Sequence, residues 1–416
     1  MNALVFSTTL LMTLELPFLR LHYIFGSLCD VIHARMRFRL KVVFLILLLL
    51  FSTVFMYILG EWMAHYVILS QCDWPQLDPK SEDLAVPKAN HTPLRVMLLT
   101  DTHLFGPCEG FWLERVRTDW QMYIAFKTAI HLHRPEIVFV LGDLTNEGQY
   151  SSDDYFNTTY VKRFYNVFAV PKDIQMFVLV GNHDVGFHYS ISKHLLSRFN
   201  KDFSTKDVQF VNIGGNYFVM VNSIGLEGDD CFLCTEVDQQ LEKIEKLLNC
   251  TKGDTSSNCT TKLSSYSRPI LLTHFPLFRD SDRKCNEPDE APYATKIEPF
   301  KEAWDCLSKN ATDRILHQIN PRLVINGHSH HGCTNRLSNG GGLEITLPSF
   351  NWAHKDNPSY GLVVVTPNNY AFSKCLMPRQ STSIIRYLFA TICIIGGIYY
   401  RYYGKRRNRR KYSMLA

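Results

Sequence analysis

Short apolar runs alternate with segments of helical periodicity through the middle of the chain. Five such runs are rich in β-branched residues, which predicts buried strands at residues 95–100, 136–142, 176–181, 269–273 and 322–327. Between the first two runs, Met122, Phe126, Ala129 and Ile130 have the i, i+4, i+7, i+8 spacing of a helix that packs one face on a sheet. Strands that alternate with helices predict an α/β core.

Two longer apolar segments flank this core. Residues 42–60 carry no charged side chain and have the length of a helix that crosses a bilayer. Residues 384–400 are apolar and rich in tyrosine, and they reach spanning length with Arg386 included. We predict a transmembrane helix at each place. The alternative for the first is a cleaved signal peptide with translation starting at Met36 rather than Met1, although no A-x-A cleavage site follows it.

Basic residues lie outside both apolar segments, four of them between residues 35 and 41 and seven between residues 401 and 411. Because basic flanks stay on the cytosolic side, both ends of the chain are predicted to be cytosolic. The predicted organisation is a cytosolic tail (1–41), a transmembrane helix (42–60), a lumenal domain (61–383), a second transmembrane helix (384–400) and a basic cytosolic tail (401–416).

Sequons and cysteines agree with a lumenal middle region. All five N-x-[ST] sequons lie between the two apolar segments, at Asn90, Asn157, Asn249, Asn258 and Asn310. Ten of the twelve cysteines lie there too, an even number that suits an oxidising compartment. Cys250 and Cys259 are close enough to close a small loop. Cys231 and Cys234 have the spacing of a redox or zinc pair, but no second pair accompanies them, which favours a structural disulfide.

The charge is unevenly distributed. The two end segments, 1–60 and 401–416, carry about 12 basic and 2 acidic side chains, so the formal net charge of +5 becomes about −5 for the region between them. The basic character therefore belongs to the membrane flanks. It gives no support to nucleic-acid binding.

Polar side chains follow each predicted strand at its carboxyl end. They are Asp101, His103, Asp143, Asn182, His183, Asp184, His274, His328 and His330. A single such residue is usually a cap or a surface group, but five successive strands with this feature indicate a ligand site, since ligands of α/β cores gather at that edge. Oxygen and imidazole groups without thiolates suit manganese, iron or zinc.

The motifs D-x-H (Asp101, His103), G-D (Asp143), G-N-H-D (181–184), an isolated His274 and G-H-x-H (327–330), in this order, resemble those of the calcineurin-like metallophosphoesterases. The resemblance covers about residues 93–355 and implies a four-layer αββα sandwich that holds two divalent metal ions. Two cations roughly 4 Å apart can clamp a phosphate and activate water for an in-line displacement.

The resemblance also implies a role for each residue. The first metal is expected to take Asp101, His103, Asp143 and His330, and the second to take Asp143, Asn182, His274 and His328, with Asp143 as the bridge. His183 is expected to be the general acid, and Asp184 to orient its ring and keep it charged.

Two branches of the family fit poorly. Purple acid phosphatases carry a tyrosine three residues after the bridging aspartate, where this chain has Asn146, and Ser/Thr protein phosphatases read GNHE instead of GNHD. The chain is more similar to membrane-anchored members that remodel GPI anchors. That similarity implies manganese-dependent removal of the side-chain ethanolamine phosphate from the second mannose.

The same similarity implies GPI-anchored proteins as substrates, cargo receptors for export as partners, and a location at ER exit sites, the ER–Golgi intermediate compartment and the Golgi. Two alternatives are a lumenal phosphodiesterase acting on sphingolipid or nucleotide diesters, and a non-enzymatic receptor for GPI-anchored cargo. A receptor would not need His183 together with Asp184, which favours an enzyme.

Overall fold

The computed structural model describes residues 35–37, 39–40, 43–44, 46–55, 57–81, 92–227, 231–253, 259–337 and 342–413. The strands of this part are β1 (Leu94–Leu99), β2 (Ile137–Leu141), β3 (Gln175–Leu179), β4 (Val208–Ile213), β5 (Asn216–Val221), β6 (Ile270–Leu272), β7 (Leu323–Asn326), β8 (Cys333–Arg336), β9 (Leu343–Thr346), β10 (Ser359–Thr366) and β11 (Asn369–Leu376).

The helices of the same part are α1 (Ile46–Leu69), α2 (Trp112–His133), α3 (Asp153–Tyr155), α4 (Lys162–Val167), α5 (Asn182–Val185), α6 (Lys193–Asp202), α7 (Phe232–Lys252), α8 (Tyr293–Lys296), α9 (Lys309–Ile319) and α10 (Gln380–Ser413). A π-helical segment, Phe156–Val161, joins α3 to α4. Shorter 3-10 turns are Pro79–Ser81, Gly148–Tyr150 and Ser223–Leu226.

The strands form two sheets. The first has the order β11-β10-β1-β2-β3, and the second has the order β4-β5-β6-β7-β9-β8. In the first sheet β1, β2 and β3 run parallel, with Val96 opposite Ile137, while β10 pairs antiparallel to β1. In the second, β5, β6, β7 and β9 run parallel. Parallel strands place their carboxyl ends at one edge of each sheet, where polar residues follow them.

One apolar core lies between the two sheets. Val96 and Leu98 of β1 point into it, as do Phe139 of β2 and Phe218 of β5, whose ring centroids are 5.0 Å apart. Successive side chains of a strand point to opposite faces, so these strands must be apolar on both sides, and they appear in the sequence as unbroken apolar runs.

A second core lies on the outer faces of the sheets. Met122, Phe126, Ala129 and Ile130 of α2 pack there with Met97 of β1, so the helical spacing in the sequence predicted the correct packing face. Helices α7 and α9 contribute buried residues to the same core together with residues of the second sheet. The predicted α/β fold, with helices outside two packed sheets, is confirmed.

The structure adds strands that the sequence pattern did not predict, namely the hairpin β4–β5, the strands β8 and β9, and the hairpin β10–β11. The five predicted strands correspond to β1, β2, β3, β6 and β7. Each is followed by the polar residues noted in the sequence.

The chain divides into two compact units. One comprises residues 1–60 and 390–416, and the other comprises residues 61–389. Two helices of the described residues are long and apolar enough to cross a membrane, Ile46–Leu69 and Gln380–Arg401. Both begin or end several residues from the predicted limits, and Glu61, His65 and Leu69, beyond the predicted end of the first, are buried. The predicted segment boundaries and orientation stay predictions.

Four disulfides link cysteines of the described residues, namely Cys72–Cys375, Cys231–Cys234, Cys250–Cys259 and Cys285–Cys333. The predicted small loop at Cys250 and the structural disulfide at Cys231 are both present. The sequons at Asn157 and Asn310 are exposed and the one at Asn249 is half-buried. Asn90 and Asn258, like most of the N-terminal tail, lie outside the described residues.

Candidate metal centre

Seven predicted metal ligands meet where the parallel strands end. Asp101 and His103 follow β1, Asp143 follows β2, Asn182 begins α5 after β3, His274 follows β6, and His328 and His330 follow β7. Strands β1, β2 and β3 are neighbours in the first sheet, and β6 and β7 are neighbours in the second. The two sheets each supply part of one site.

The backbone is strained at these positions. Asp101, His103, Asp143, His328 and His330 all have positive φ angles, between 40° and 69°. For residues with a Cβ the left-handed region costs roughly 1–2 kcal/mol each, and such strain persists where the surrounding structure imposes a conformation that function needs. Here it turns each side chain away from its strand and into the shared site.

One cluster is built from Asp101, His103, Asp143 and His330, whose ligand atoms lie within 4.8 Å of one another. Nε2 of His103 is 2.9 Å from Nε2 of His330 and 3.7 Å from Oδ1 of Asp101. Oδ1 of Asp101 is also 3.5 Å from Nε2 of His330. This is the set predicted for the first metal.

The second cluster is built from Asp143, His274 and His328. Oδ2 of Asp143 is 3.2 Å from Nε2 of His274 and 3.6 Å from Nε2 of His103. One carboxylate oxygen therefore faces ligands of both clusters, as a bridging ligand must. Asn182 is buried beside them, with its Oδ1 3.1 Å from Nε2 of His274.

Hydrogen bonds on the outer side of each ring fix which nitrogen faces the site. Nδ1 of His103 donates to Oδ1 of Asn146 at 3.0 Å, and Nδ1 of His274 donates to the Leu141 carbonyl at 2.8 Å. His328 is turned the other way, because its Nε2 donates to the Trp304 carbonyl at 2.8 Å. The other nitrogen of each ring faces the site, which is the arrangement that orients metal-binding histidines.

Three buried ligand atoms of the predicted metal ligands have no hydrogen-bond partner, namely Oδ1 of Asp101, Oδ2 of Asp143 and Nδ1 of His328. Leaving a buried polar atom unpaired costs about 1–3 kcal/mol, and more when it is charged. All three point into the clusters, where divalent cations would satisfy them. The residues therefore fit two divalent metal ions, and the oxygen and imidazole donors do not select manganese over iron or zinc.

Residues 94–332 match the calcineurin-like phosphoesterase family. The chain belongs to that family. It is 40% identical to Metallophosphoesterase 1 of Mus musculus over 79% of this chain and 82% of that protein. It is 42% identical to the Metallophosphoesterase 1 homolog of Drosophila melanogaster over 80% of this chain and 88% of that protein.

Among solved structures, a dimetal phosphatase from Danio rerio is similar over 69% of this chain and 100% of its own, with 14% identity and a TM-score of 0.38. So low a score adds nothing to the argument. Family membership and the two fitted clusters make this chain a metal-dependent phosphoesterase.

Glycines let the motifs of this phosphoesterase approach one another closely. Gly181 packs against Asp143 so tightly that a Cβ at residue 181 would lie 2.2 Å from Oδ1 of Asp143. Gly142 has a φ of +91°, and a Cβ there would lie 2.6 Å from Nδ1 of His274. A side chain at either position would displace a ligand.

Neighbouring histidines hold the two carboxyl groups as anions. Burial alone would raise the pKa of Asp101, but the neighbouring imidazoles of His103 and His330 outweigh it and hold the pKa well below its usual range. Burial acts the same way on Asp143, and the charges of His274 and His183 lower its pKa despite it. Both carboxylates are ready to bind cations at neutral pH.

The pKa values of His274 and His328 are shifted in opposite directions. Burial alone would lower the pKa of His274, but the Asp143 carboxylate raises it to about 9. Burial, helped by the charge of His274, lowers the pKa of His328 to about 3. Without a cation His274 therefore carries a proton at neutral pH, whereas His328 is already a neutral ligand.

His183 lies at the edge of the clusters, with its ring centroid 4.7 Å from that of His103. Nδ1 donates to the Asn146 carbonyl at 2.9 Å, which turns Nε2 toward the site. Burial would lower the pKa of this imidazole, but the Asp143 carboxylate and the Asn146 carbonyl raise it. A group that keeps its proton here can donate it, so the general-acid role of His183 stays a prediction that the geometry allows.

Asp184 contacts backbone N–H groups rather than the His183 ring, and its charge helps to raise the pKa of His183. Its carboxylate accepts hydrogen bonds from the backbone N–H groups of Gly181, at 3.0 Å, and Thr145, at 2.9 Å, and from the Thr145 hydroxyl at 2.8 Å. It therefore joins the G-D and G-N-H-D loops, and the Asn146 carbonyl orients His183 instead. Burial and the Asp143 charge raise the pKa of Asp184 to about 7.

Two residues of the site were missed in the sequence. Asn146 holds His103 through its side chain and His183 through its carbonyl, and it also donates to Glu109. His354 places its ring 4.3 Å from that of His103 and 4.7 Å from that of His330. Asn146 stood beside a recognised motif, whereas no spacing signal marks His354.

Proposed function

We propose that this phosphoesterase removes the side-chain ethanolamine phosphate from the second mannose of GPI anchors in the lumen of the early secretory pathway. The resemblance of its motifs to membrane-anchored enzymes that remodel GPI anchors supports this substrate. Removal of the group would promote export of GPI-anchored proteins from the ER to the Golgi, with cargo receptors as partners.

The observation that carries the proposal is that the phosphodiesterase domain lies, along the chain, between two candidate membrane spans. Cys72 follows the first candidate span and Cys375 precedes the second, and their disulfide, with Cα atoms 5.6 Å apart, joins the two ends of the domain. A domain that membrane anchors hold at both ends meets lipid-anchored diesters at a high effective concentration, and it meets soluble diesters rarely. The side-chain ethanolamine phosphate of a GPI glycan is a lipid-anchored diester of that kind.

In this reaction Asp101, His103, Asp143 and His330 would hold one cation, and Asp143, Asn182, His274 and His328 the other. The two cations would supply charge stabilisation for the phosphoryl oxygens and a nucleophile from water at neutral pH. Manganese is the metal we propose.

The protein's own side chains contribute to the chemistry by protonating the leaving group. Water adds to phosphorus and the bond from phosphorus to the mannose oxygen breaks, which yields ethanolamine phosphate and a free mannose hydroxyl. His183 would donate its proton to that departing oxygen while the Asn146 carbonyl holds Nδ1 of the ring. The phosphate that links the anchor to the protein would stay intact.

Topology is tested by glycosylation. In sealed microsomes the middle region should be protected from added protease. Because Asn157 and Asn310 are exposed sequons, treatment with glycosidase should increase the mobility of the protein on a gel. The disulfides of the described residues support the same oxidising compartment. An unglycosylated domain that protease degrades would contradict a lumenal site.

The substrate is tested with purified, manganese-loaded protein and a GPI glycan that carries the side-chain group. Mass spectrometry should show loss of ethanolamine phosphate from the second mannose alone. Efficient cleavage of sphingomyelin or a nucleotide diester, with the GPI side chain left in place, would favour the alternative substrates. GPI glycans from cells that lack this protein should keep the group.

A further inference from the structure

Three aromatic rings form an exposed surface beside the metal centre. Phe187, Tyr189 and Trp304, which we name the aromatic shelf, lie within 7–12° of parallel to one another. The centroids of Phe187 and Trp304 are 4.3 Å apart, and that of Tyr189 is 5.9 Å from Trp304. Tyr189 is 72% exposed and Trp304 is 37% exposed.

The aromatic shelf is joined to the second cluster of ligands. The Trp304 carbonyl accepts the hydrogen bond that fixes His328, and the Phe187 ring centroid lies 6.4 Å from that of His328. Phe275 packs between them, 4.1 Å from His328 and 6.2 Å from Phe187. The shelf therefore begins beside a metal-binding imidazole and runs outward to solvent.

Local hydrogen bonds hold the shelf in place before any ligand arrives. The N–H groups of Ser190 and Ile191 both donate to the Phe187 carbonyl, at 2.7 and 2.9 Å, and close a tight turn around Tyr189. Gly186, with a φ of +100°, connects that turn to α5 and its Asn182. A preformed surface loses little conformational freedom on binding, and exposed apolar patches of this kind mark binding sites.

We infer that the aromatic shelf is a sugar-binding subsite, in which the exposed Tyr189 ring stacks on the pyranose ring of the mannose that bears the scissile phosphate. One face of a pyranose carries mainly C–H groups, and aromatic rings with a polar edge suit such a face with hydroxyls around it. This inference rests on the proposed function, because it assigns the shelf to the glycan of the same substrate.

Lys301 indicates which half of that substrate, the neutral sugar or the charged ethanolamine, binds at the shelf. Its ammonium lies 4.8 Å from the Trp304 ring centroid and already takes the cation–π position there. A second cation, such as the ammonium of ethanolamine or choline, would be repelled, whereas a neutral sugar would not. The ammonium of Lys301 is also a hydrogen-bond donor for sugar hydroxyls.

The test compares two substrates with the full-length, manganese-loaded protein, a GPI glycan with its side-chain ethanolamine phosphate and the glycan-free diester methyl phosphoethanolamine. Tyr189→Ala should lower the ratio of their kcat/KM values about tenfold, chiefly through KM of the glycan. Tyr189→Phe should restore the ratio. The matched control is Tyr293→Ala, since Tyr293 is also 72% exposed, and it should leave the ratio unchanged.

A binding measurement separates this inference from the proposed function. Titration with an α-mannose oligosaccharide should change the tryptophan fluorescence of the protein, and Tyr189→Ala should weaken that binding about tenfold without any turnover. If the wild-type protein leaves GPI diesters uncleaved but binds the oligosaccharide in this way, the proposed function fails and the subsite stands. If Tyr189→Ala and Trp304→Leu both keep the wild-type ratio and the wild-type affinity, the subsite is wrong.

Discussion

Two pairs of side-chain clusters in the described residues have metal-like spacing, and only one pair suits metals. Each cluster brings at least three ligand atoms within 4.8 Å of one another. Two clusters share Asp143, whereas the other two contain the sulfurs of Cys231–Cys234 and Cys285–Cys333. Disulfide sulfurs are not thiolates, which are the form that binds metals. Proximity alone does not make a site.

The acidic residues of the clusters show the same difference. Oδ1 of Asp101 and Oδ2 of Asp143 are buried without a hydrogen-bond partner. Asp282, beside Cys285 and Cys333, has Oδ1 bound to Nε of Arg279 at 2.7 Å. One carboxylate is already neutralised by the protein, and the others are left for cations. Unsatisfied, buried, inward-facing ligand atoms therefore distinguish the two metal clusters from the two disulfide clusters.

The largest expected effect is that of Asp143→Asn. Both cations lose their shared anionic ligand, so we expect turnover to fall at least roughly 10³-fold and both metals to be lost in elemental analysis. Asp282→Asn is the matched control from the disulfide clusters and should keep both metals. Retention of two metals by Asp143→Asn would remove the distinction between the clusters.

His183→Ala should separate catalysis from metal binding. This residue lies at the edge of the ligand clusters, so both metals should remain while turnover falls roughly 10²–10⁴-fold, the usual scale for a lost general acid. Elemental analysis and steady-state rates on one protein sample check both parts. An empty metal site in this variant would make His183 a ligand.

Asn146→Ala should weaken metal binding through His103. The substitution removes the acceptor that fixes Nδ1 of His103 but keeps the carbonyl that holds His183. Losing such an outer partner typically costs 10–100-fold in metal affinity, which competition with a fluorescent chelator would measure. Unchanged affinity would show that the histidine ring is oriented by packing alone.

The smallest effect is a proton released when metal binds. Because the Asp143 charge raises the pKa of His274 to about 9, this imidazole is protonated at neutral pH, and a cation must displace about one proton from it. Affinity should therefore rise with pH up to about pH 9 and then level off. Calorimetric titrations in two buffers with different ionisation enthalpies should differ by that proton, and identical heats would contradict it.

Most of the site could be predicted because strand ends are visible in the sequence. An apolar run that stops at Asp or His predicts that residue at the ligand edge of a parallel sheet, and the structure places Asp101, Asp143 and His274 at the ends of β1, β2 and β6. The antiparallel strands β10 and β11 were missed, although they complete the first sheet. They carry no motif and were hidden between the core and the second apolar segment.

Side-chain partners could not be predicted in the same way. Asp184 is adjacent to His183 in sequence, but it is buried, and its carboxylate accepts hydrogen bonds from the backbone N–H groups of Gly181 and Thr145. His354 reaches His103 across 251 positions of sequence. Such contacts depend on how loops of two sheets meet, which local pattern does not encode.

The most direct test of the central claim, that Asp143 bridges two cations, is a crystal structure of the manganese-loaded protein with anomalous diffraction measured at the manganese edge. The account predicts two anomalous peaks roughly 3.5–4 Å apart, one on each side of Oδ2 of Asp143. A single peak, or a second peak at the Cys231 or Cys285 cluster with none beside His274, would contradict it.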